Sequence, residues 1–380
     1  MNGSPDRHRR ILPRRILVLC LSGIGDAARF LPALALLRRS FPEARITVVT
    51  MFRGAFELLE YNSHLDDLRC IDFFNSSPAK RIFEALRLRC ERFDLSILSF
   101  PSNRLEYNIA QWIVGCRWRA AHRYMRQSIQ NLWFLNNIVL PEEPHLHNVE
   151  ENLRLVQEIA RRFGVRLEDS ASACGPALSS LPGGDGCRPT ASQPPAVPGT
   201  GRLKIAIHPY SSTFKNMHRK CWPAVKFAEL VNVLADQYPG ARFLLLSGPD
   251  DQEVSRRILA LVHSPVLLVE DSLHGVIALL RECDLFIGND AGITHVAAAA
   301  GIPVIAVFGP TDWNKLHPWC EHHIVVKRDL WCMPCFYYSS RPLRCGARMD
   351  YACVRELPVA DIARAVSAML ARLKRPPRLS

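Results

Sequence analysis

Residues 284–318 read DLFIGNDAGITHVAAAAGIPVIAVFGPTDWNKLHP. Asp284 to Gly288 spell a short buried strand, apolar β-formers ending at a glycine. A polar corner follows from Asn289 to His295, then the small helix-prone run VAAAA, then, past Gly301 and Pro303, a second apolar run VIAVFG. Strand, turn, helix and strand of this length make one parallel βαβ unit. Gly292 permits close approach of backbone to a ligand. A helix starting near Ile293 would aim its free amides and the positive end of its dipole back at the turn, which favours a phosphate. Thr294 and His295 add a hydroxyl and an imidazole. Asp290 would repel phosphate, which suits it to holding the loop or a sugar hydroxyl. The same residues also fit an ordinary βα corner with an N-cap aspartate and a core helix, and the pattern alone leaves both readings open.

The alternation continues on both sides. KIAIHP at 204–209, RFLLLS at 242–247 and residues 266–269 read as strands, with helices at 222–238, 250–262 and 273–282 between them. A cysteine-rich segment and a helix over 358–373 come after. Towards the N-terminus, Arg15–Leu21 predicts a strand, Ser22–Asp26 a glycine turn, and Ala27–Ser40 a helix with Phe30, Leu34 and Leu37 on one face. ARITVVT is the next strand, followed by a helix near 54–61, a strand near 68–73, a helix over 79–92, a strand over 94–99 and helices over 104–114 and 148–163. This pattern predicts an α/β chain with two doubly wound parallel sheets that face a cleft and hold ligand at the carboxyl ends of their strands. Residues 170–202 break the pattern with Pro, Gly, Ser and Ala and read as a linker. The expected organisation is a basic tail 1–14, a first domain 15–169, the linker 170–202, a second domain 203–357 carrying the cysteine-rich segment 332–353, and a terminal helix and tail 358–380.

With 380 residues, 48% hydrophobic and 22% charged, the composition is that of a globular chain long enough for two cores. The net charge of +12 calls for an anionic partner, such as a nucleotide, a phosphorylated glycolipid or an anionic membrane surface. The basic residues are dispersed and lack an aromatic-basic recognition motif, which sets nucleic acid aside. The N-terminal basic stretch and ILVLCL imitate a secretion signal, but the apolar run breaks at Ser22 and leads into a helix, so a tail and first strand are expected. No apolar run reaches the length of a membrane span. Thirteen scattered cysteines fit reduced thiols better than a disulfide scaffold.

Several residue groups can carry chemistry. Asp26, at the carboxyl end of the first strand, is placed either to act as a general base or to cap the following helix. His208 to Thr213 offer hydroxyls and amides to a phosphate, and Lys220, just before a helix start at Trp222-Pro223, can neutralise a diphosphate or belong to a solvated loop. Asp250 and Asp251, after Gly248-Pro249, can bind ribose hydroxyls or cap a helix. Cys332, Cys335, Cys345 and Cys353 have the strongest metal-like spacing, for zinc or iron, or are thiols of an irregular loop. The basic-aromatic stretch 117–133 reads as a solvated helix face with aromatic anchors in the core, or as a contact with anionic lipid.

With these residues in view, the chain resembles glycosyltransferase family 9, the ADP-heptose–lipopolysaccharide heptosyltransferases, over about 15–165 and 203–372. The opening RILVLCLSGIGDAARFLPALALLRRSFPEARITVV looks like the family's first strand and S-x-x-G-D turn. KCWP at 220–223 resembles its K-x-W-P, and FIGNDAGITHVAAAAGIPVIAVFGPTDW its most specific segment. The tail C-x-P-C…C…C-V-R-E-L is most similar to the heptosyltransferase II type. The resemblance implies a GT-B fold of two Rossmann-like domains, the first binding acceptor and the second nucleotide sugar. It implies inverting, metal-independent transfer from ADP-L-glycero-D-manno-heptose, with no cofactor, to the lipopolysaccharide inner core at the cytoplasmic face of the inner membrane. Carried over, Asp26 is the base and Lys220 stabilises departing ADP. Ser211 and Ser212 lie near the phosphates and Asp251 binds ribose. Asp290, Ala291, Gly292, Thr294 and His295 surround the diphosphate and sugar. The departures are Ala291 in place of Thr or Ser, Tyr210 in place of Gly, and a longer segment 213–219. Two alternatives stay open: transfer to a protein or another glycan with a metal-bound cysteine cluster, and nucleotide-sugar binding without transfer.

Overall fold

Apolar runs too uniform to have a wet face build the centre of each unit. RILVLC forms β1 (Arg15–Cys20), buried at every residue but the first, as expected of a strand covered by helices on both sides. A computed structural model of the chain describes residues 11–73, 76–126, 129–166, 203–338 and 341–373. The expected linker 170–202, residues 1–10 of the expected tail and residues 374–380 lie outside them. The chain separates into two compact units, Met1–Gly175 and Pro176–Ser380.

In the first unit β1 is followed by α1 (Ile24–Ser40), β2 (Arg45–Thr50), α2 (Arg53–Leu59), β3 (Asp67–Cys70), α3 (Pro78–Cys90), β4 (Leu95–Leu98), α4 (Leu105–Val114), β5 (Trp118–Arg123), β6 (Ile138–Pro141) and α5 (Asn148–Phe163). The strands are parallel in the order β3-β2-β1-β4-β5-β6, with Ile16 between Ile46 and Leu95. The order reverses between β1 and β4, which marks the switch point of a doubly wound sheet. Helix α1 packs on α2 and α5, and α3 packs on α4. Period-two alternation splits the strand residues between two faces, so that Leu17 and Leu19 join Ala85 and Leu88 of α3 in one cluster.

The second unit repeats the plan: β7 (Lys204–His208), α6 (Ala224–Gln237), β8 (Arg242–Leu246), α7 (Gln252–Leu259), β9 (Val266–Val269), α8 (Leu273–Arg281), β10 (Leu285–Asn289), α9 (Gly292–Ala299), β11 (Val304–Val307), α10 (Trp313–Leu316), β12 (His323–Val326), α11 (Ala352–Arg355) and α12 (Val359–Leu373). Its parallel order β12-β11-β10-β7-β8-β9 places the switch point between β10 and β7. Ile205 and Ile207 face α6 and α12, while Ala206 turns to the cluster of α8 and α9. The α/β expectation of two doubly wound parallel sheets holds.

Two local readings are corrected. Helix α1 starts at Ile24, so Asp26 lies within its first turn, and Gly23 takes the N-cap position. Among the described residues of 117–133 there is no helix face: β5 runs through it as an inner strand. Ala120, Ala121 and His122 are its buried centre. Arg119 donates to the carbonyls of Cys116 at 2.7 Å and Leu135 at 2.8 Å.

Gly288, in the centre of β10, has no room for a side chain. A Cβ there would lie 2.8 Å from the Phe286 ring and 3.1 Å from the His208 carbonyl oxygen. Gly288→Ala is expected to destabilise the fold by about 1–3 kcal/mol, the usual cost of overpacking, measured as a lower urea midpoint at unchanged slope.

Candidate active site

The corner after β10 is assembled by the side chain of Asn289. Its amide donates to the Pro209 carbonyl at 2.7 Å, and its oxygen accepts the Trp222 backbone N–H at 2.8 Å. One buried residue thereby ties the loops after β7 and β10 together at the switch point. Trp222 is fully buried and donates its indole N–H to the Leu357 carbonyl at 2.9 Å, which anchors the segment that carries Lys220.

Lys220 donates to Asp290 at 2.5 Å, Thr311 donates to the same carboxylate oxygen at 2.7 Å, and His295 Nε2 lies 3.7 Å from the other oxygen. Both partners are buried, Lys220 at 8% and Asp290 at 4% exposure. Burial by itself pushes the Asp290 carboxyl up, but the Lys220 charge and then His295 outweigh it and hold the group well below the ordinary carboxylate range. Asp290 thus holds the loop. No side chain caps the N-terminus of α9 at Ala291, so the amides after Ala291 stand beside this cluster with the positive end of the helix dipole. Thr294 is turned inward and donates to the Asn289 carbonyl at 2.5 Å, which makes its hydroxyl part of the strand–helix corner.

The remaining expected residues divide in the same way. Ser211 is buried and Ser212 exposed. Ser212 Oγ accepts the Phe214 N–H at 3.0 Å and shapes the turn that leads to Lys220. Asp251 is buried at the carboxyl end of β8. It accepts from the Gly248 N–H and from Ser247 at 3.4 Å, and faces His208 at 3.2 Å. Asp250, beside it, is exposed.

Cys332, Cys335, Cys345 and Cys353 line one small cavity with Pro310, Met333 and Tyr351. Burial, followed by the neighbouring thiols, pushes Cys335 up and Cys353 to about 11. Among the described residues no three His, Cys, Asp or Glu side chains are arranged to hold a metal ion. The segment does have a visible job. The N–H groups of Cys335 and Phe336 both donate to the Pro310 carbonyl, at 2.9 and 2.8 Å, and so fix the loop that carries Thr311 to Asp290. Sequence reading passed over this buttress, as it passed over Thr311 and Asn289; the GPT triplet after β11 was its only visible sign.

In the first unit Asp26 is partly exposed and receives a 2.5 Å bond from the buried guanidinium of Arg29, one helical turn later. Around the β1–β4 switch point Ser22 Oγ donates to the Pro101 carbonyl at 2.7 Å, and the Asn152 side chain clamps both the N–H and the carbonyl of Phe100, at 2.8 and 3.1 Å. Tyr107 donates to the Leu21 carbonyl at 3.2 Å. The carboxylate is thus fixed in direction on a rigid corner while remaining accessible.

Replacing Lys220 by Met would leave a charged carboxylate buried beside only Thr311 and His295. The expected loss is about 3–5 kcal/mol, the usual result of removing one member of a buried pair, and Lys220→Met with Asp290→Asn should recover most of it in urea unfolding. The sign with pH follows from a folded value below 3.8. The pair's contribution is complete above that ordinary value and is lost as pH falls through the folded one, so the wild type should lose this increment in acid and the double variant should not.

The family model of glycosyltransferase family 9 (heptosyltransferase) matches residues 87–344. Lipopolysaccharide heptosyltransferase 3 of Escherichia coli is 23% identical over 367 residues, covering 91% of this chain and 96% of the relative. Lipopolysaccharide heptosyltransferase 2 of Escherichia coli K12 is 33% identical over 114 residues, 28% of this chain and 32% of its own length. The fold is shared with the solved ADP-heptose lipopolysaccharide heptosyltransferase II of E. coli, at TM-score 0.65 and 18% identity over 95% of this chain and all of that one. It is also shared with a family 9 glycosyltransferase of Veillonella parvula, at TM-score 0.69 and 18% identity over 94% and 98%.

Proposed function

The chain belongs to glycosyltransferase family 9, and from that premise we propose that it transfers a heptose from an ADP-activated donor to the inner core of lipopolysaccharide, with inversion at the anomeric carbon. The observation that carries this reading is the uncapped N-terminus of α9 beside the Lys220–Asp290 pair at the β7–β10 switch point. A diphosphate is the ligand such a corner suits, because backbone amides, a helix dipole and a fixed ammonium all favour two adjacent phosphates.

In this mechanism the donor diphosphate lies on the amides after Ala291. Lys220 gives one N–H to Asp290, which keeps the ammonium in place, and has no further hydrogen-bond partner among the described residues, so its other protons meet the charge that develops on departing ADP. Asp26 takes the proton of the acceptor hydroxyl as that oxygen attacks the anomeric carbon from the face opposite ADP. Arg29 keeps the carboxylate aimed. Ala291 supplies no hydroxyl to the phosphates, and the backbone amides take that role. The positive charge of the chain suits a phosphorylated, lipid-linked acceptor met at the cytoplasmic membrane face. No helix among the described residues is long and apolar enough to cross a membrane.

ADP release from ADP-heptose in the presence of heptose-deficient lipopolysaccharide tests the reading. Acceptor-dependent release is expected, and Asp26→Ala should lower kcat by about 10²–10⁴, the usual contribution of a positioned general base. Release unchanged in that variant refutes the base assignment. Absence of release by the wild type with both Kdo-terminated and heptose-terminated acceptors overturns the donor and acceptor named here.

A further inference from the structure

Helix α3 has two apolar faces, and the fold uses one. Ala85 and Leu88 point inward to the cluster shared with α4 and the sheet. Ala79, Ile82, Phe83, Leu86 and Cys90 are all exposed, with Ile82 at 48%, Phe83 at 60% and Leu86 at 45%. Their spacing of three and four places them in one stripe along the helix. Lys80 and Arg87 follow one edge of the stripe and Arg89 the other. Single exposed apolar residues need no explanation, whereas a continuous stripe rimmed by charge marks an interaction surface. Beside the helix lies a pocket lined by Arg69, Lys80, Glu84 and Arg87 among others. Arg69 is matched there by Asp67 and Glu91, and exposed Arg87 faces Glu84 at 3.6 Å, while the Lys80 ammonium has no acidic partner among the described residues.

We propose that α3 is a membrane-docking helix. It lies along an anionic bilayer with Ile82, Phe83 and Leu86 in the boundary between headgroups and acyl chains, and with Lys80 and Arg87 among lipid phosphates, while Arg89 gives Nη1 to the Ile113 carbonyl at 3.1 Å. Charge decides between a bilayer and a second copy of the chain. Stripe against stripe would bring the basic edges of two molecules together on a protein of net charge +12, whereas anionic lipid neutralises them. In the basic-aromatic stretch 117–133, the arginines at and beside β5 are engaged within the fold. Arg119 is spent on backbone carbonyls, and Arg117 and Arg123 lie over the rings of Trp118 and Trp133 at 5.5 and 5.4 Å. Helix α3 begins at the carboxyl end of its sheet, the end that also carries Asp26, so lipid held at α3 is held where the acceptor hydroxyl must arrive. This inference rests on the reading of a lipid-linked acceptor.

Flotation of the full chain with phosphatidylethanolamine–phosphatidylglycerol vesicles, against phosphatidylcholine vesicles, tests it. The wild type is expected on the anionic vesicles and to weaken as salt is added. Ile82→Glu with Phe83→Glu, and separately Lys80→Glu with Arg87→Glu, should each lower partitioning by about tenfold or more. Because these side chains are exposed, both variants should keep the wild-type thermal midpoint and full ADP release with a lipid-free truncated acceptor, and lose release with acceptor embedded in vesicles. A wild type that ignores anionic vesicles at low salt overturns the proposal, as do double variants that bind like the wild type. Self-association abolished by the Ile82/Phe83 variant, with vesicle binding intact, would assign the stripe to a second copy instead. Vesicle binding that depends on α3 in a protein that releases ADP with no acceptor supports the docking helix while removing the transfer reading.

Discussion

A carboxylate with almost no access to water cannot stay charged alone, and the second unit is built around meeting that demand at Asp290. Lys220 supplies the countercharge, Thr311 a hydroxyl and His295 an imidazole, and each comes from a different segment. The segments are then fastened in turn: Trp222 to Leu357, Asn289 to Pro209, Pro310 to the cysteine-rich stretch. The neutralised pair therefore acts as a positional key. It draws the ends of three connections into one place and leaves an ammonium and a helix N-terminus side by side.

The first unit has the same strand order and the opposite electrostatic plan. Its acidic residue at the switch point is reachable by solvent and is held by a guanidinium from its own helix. Burial with a full set of partners makes Asp290 a structural ion. Partial exposure beside the Arg29 guanidinium leaves Asp26 within reach of solvent, as the proposed base must be. Two aspartates beside the switch points of two similar sheets, one after β1 and the other after β10, thus sit in opposite environments.

Strands such as RILVLC and RFLLLS were legible because a sheet covered on both faces demands uninterrupted apolar runs, and α5 was legible to the residue because its apolar period is clean. β5 was not, because its buried centre is only Ala120, Ala121 and His122, and the arginines around it mimic a solvated helix. β12, four residues with one fully enclosed position, carries too little pattern to be seen. In the site, Lys220, Asp290 and the uncapped corner could be picked out by residue type. Asn289, Thr311 and the Cys335–Pro310 buttress could not, since their contribution is made through hydrogen bonds to groups distant in the chain, which periodicity does not report.

The Arg29 guanidinium has a consequence for how this chain can change over evolutionary time. It is buried, and its Nε and Nη1 have no hydrogen-bond partner among the described residues, so its tolerance rests on Asp26. Loss of the aspartate strands a desolvated cation, and loss of the arginine removes the guanidinium that holds the carboxylate at 2.5 Å. Neither position can drift alone without penalty. Positions 26 and 29 form a single heritable unit, and in descendants of this chain their columns should covary, an aspartate with an arginine or both replaced together.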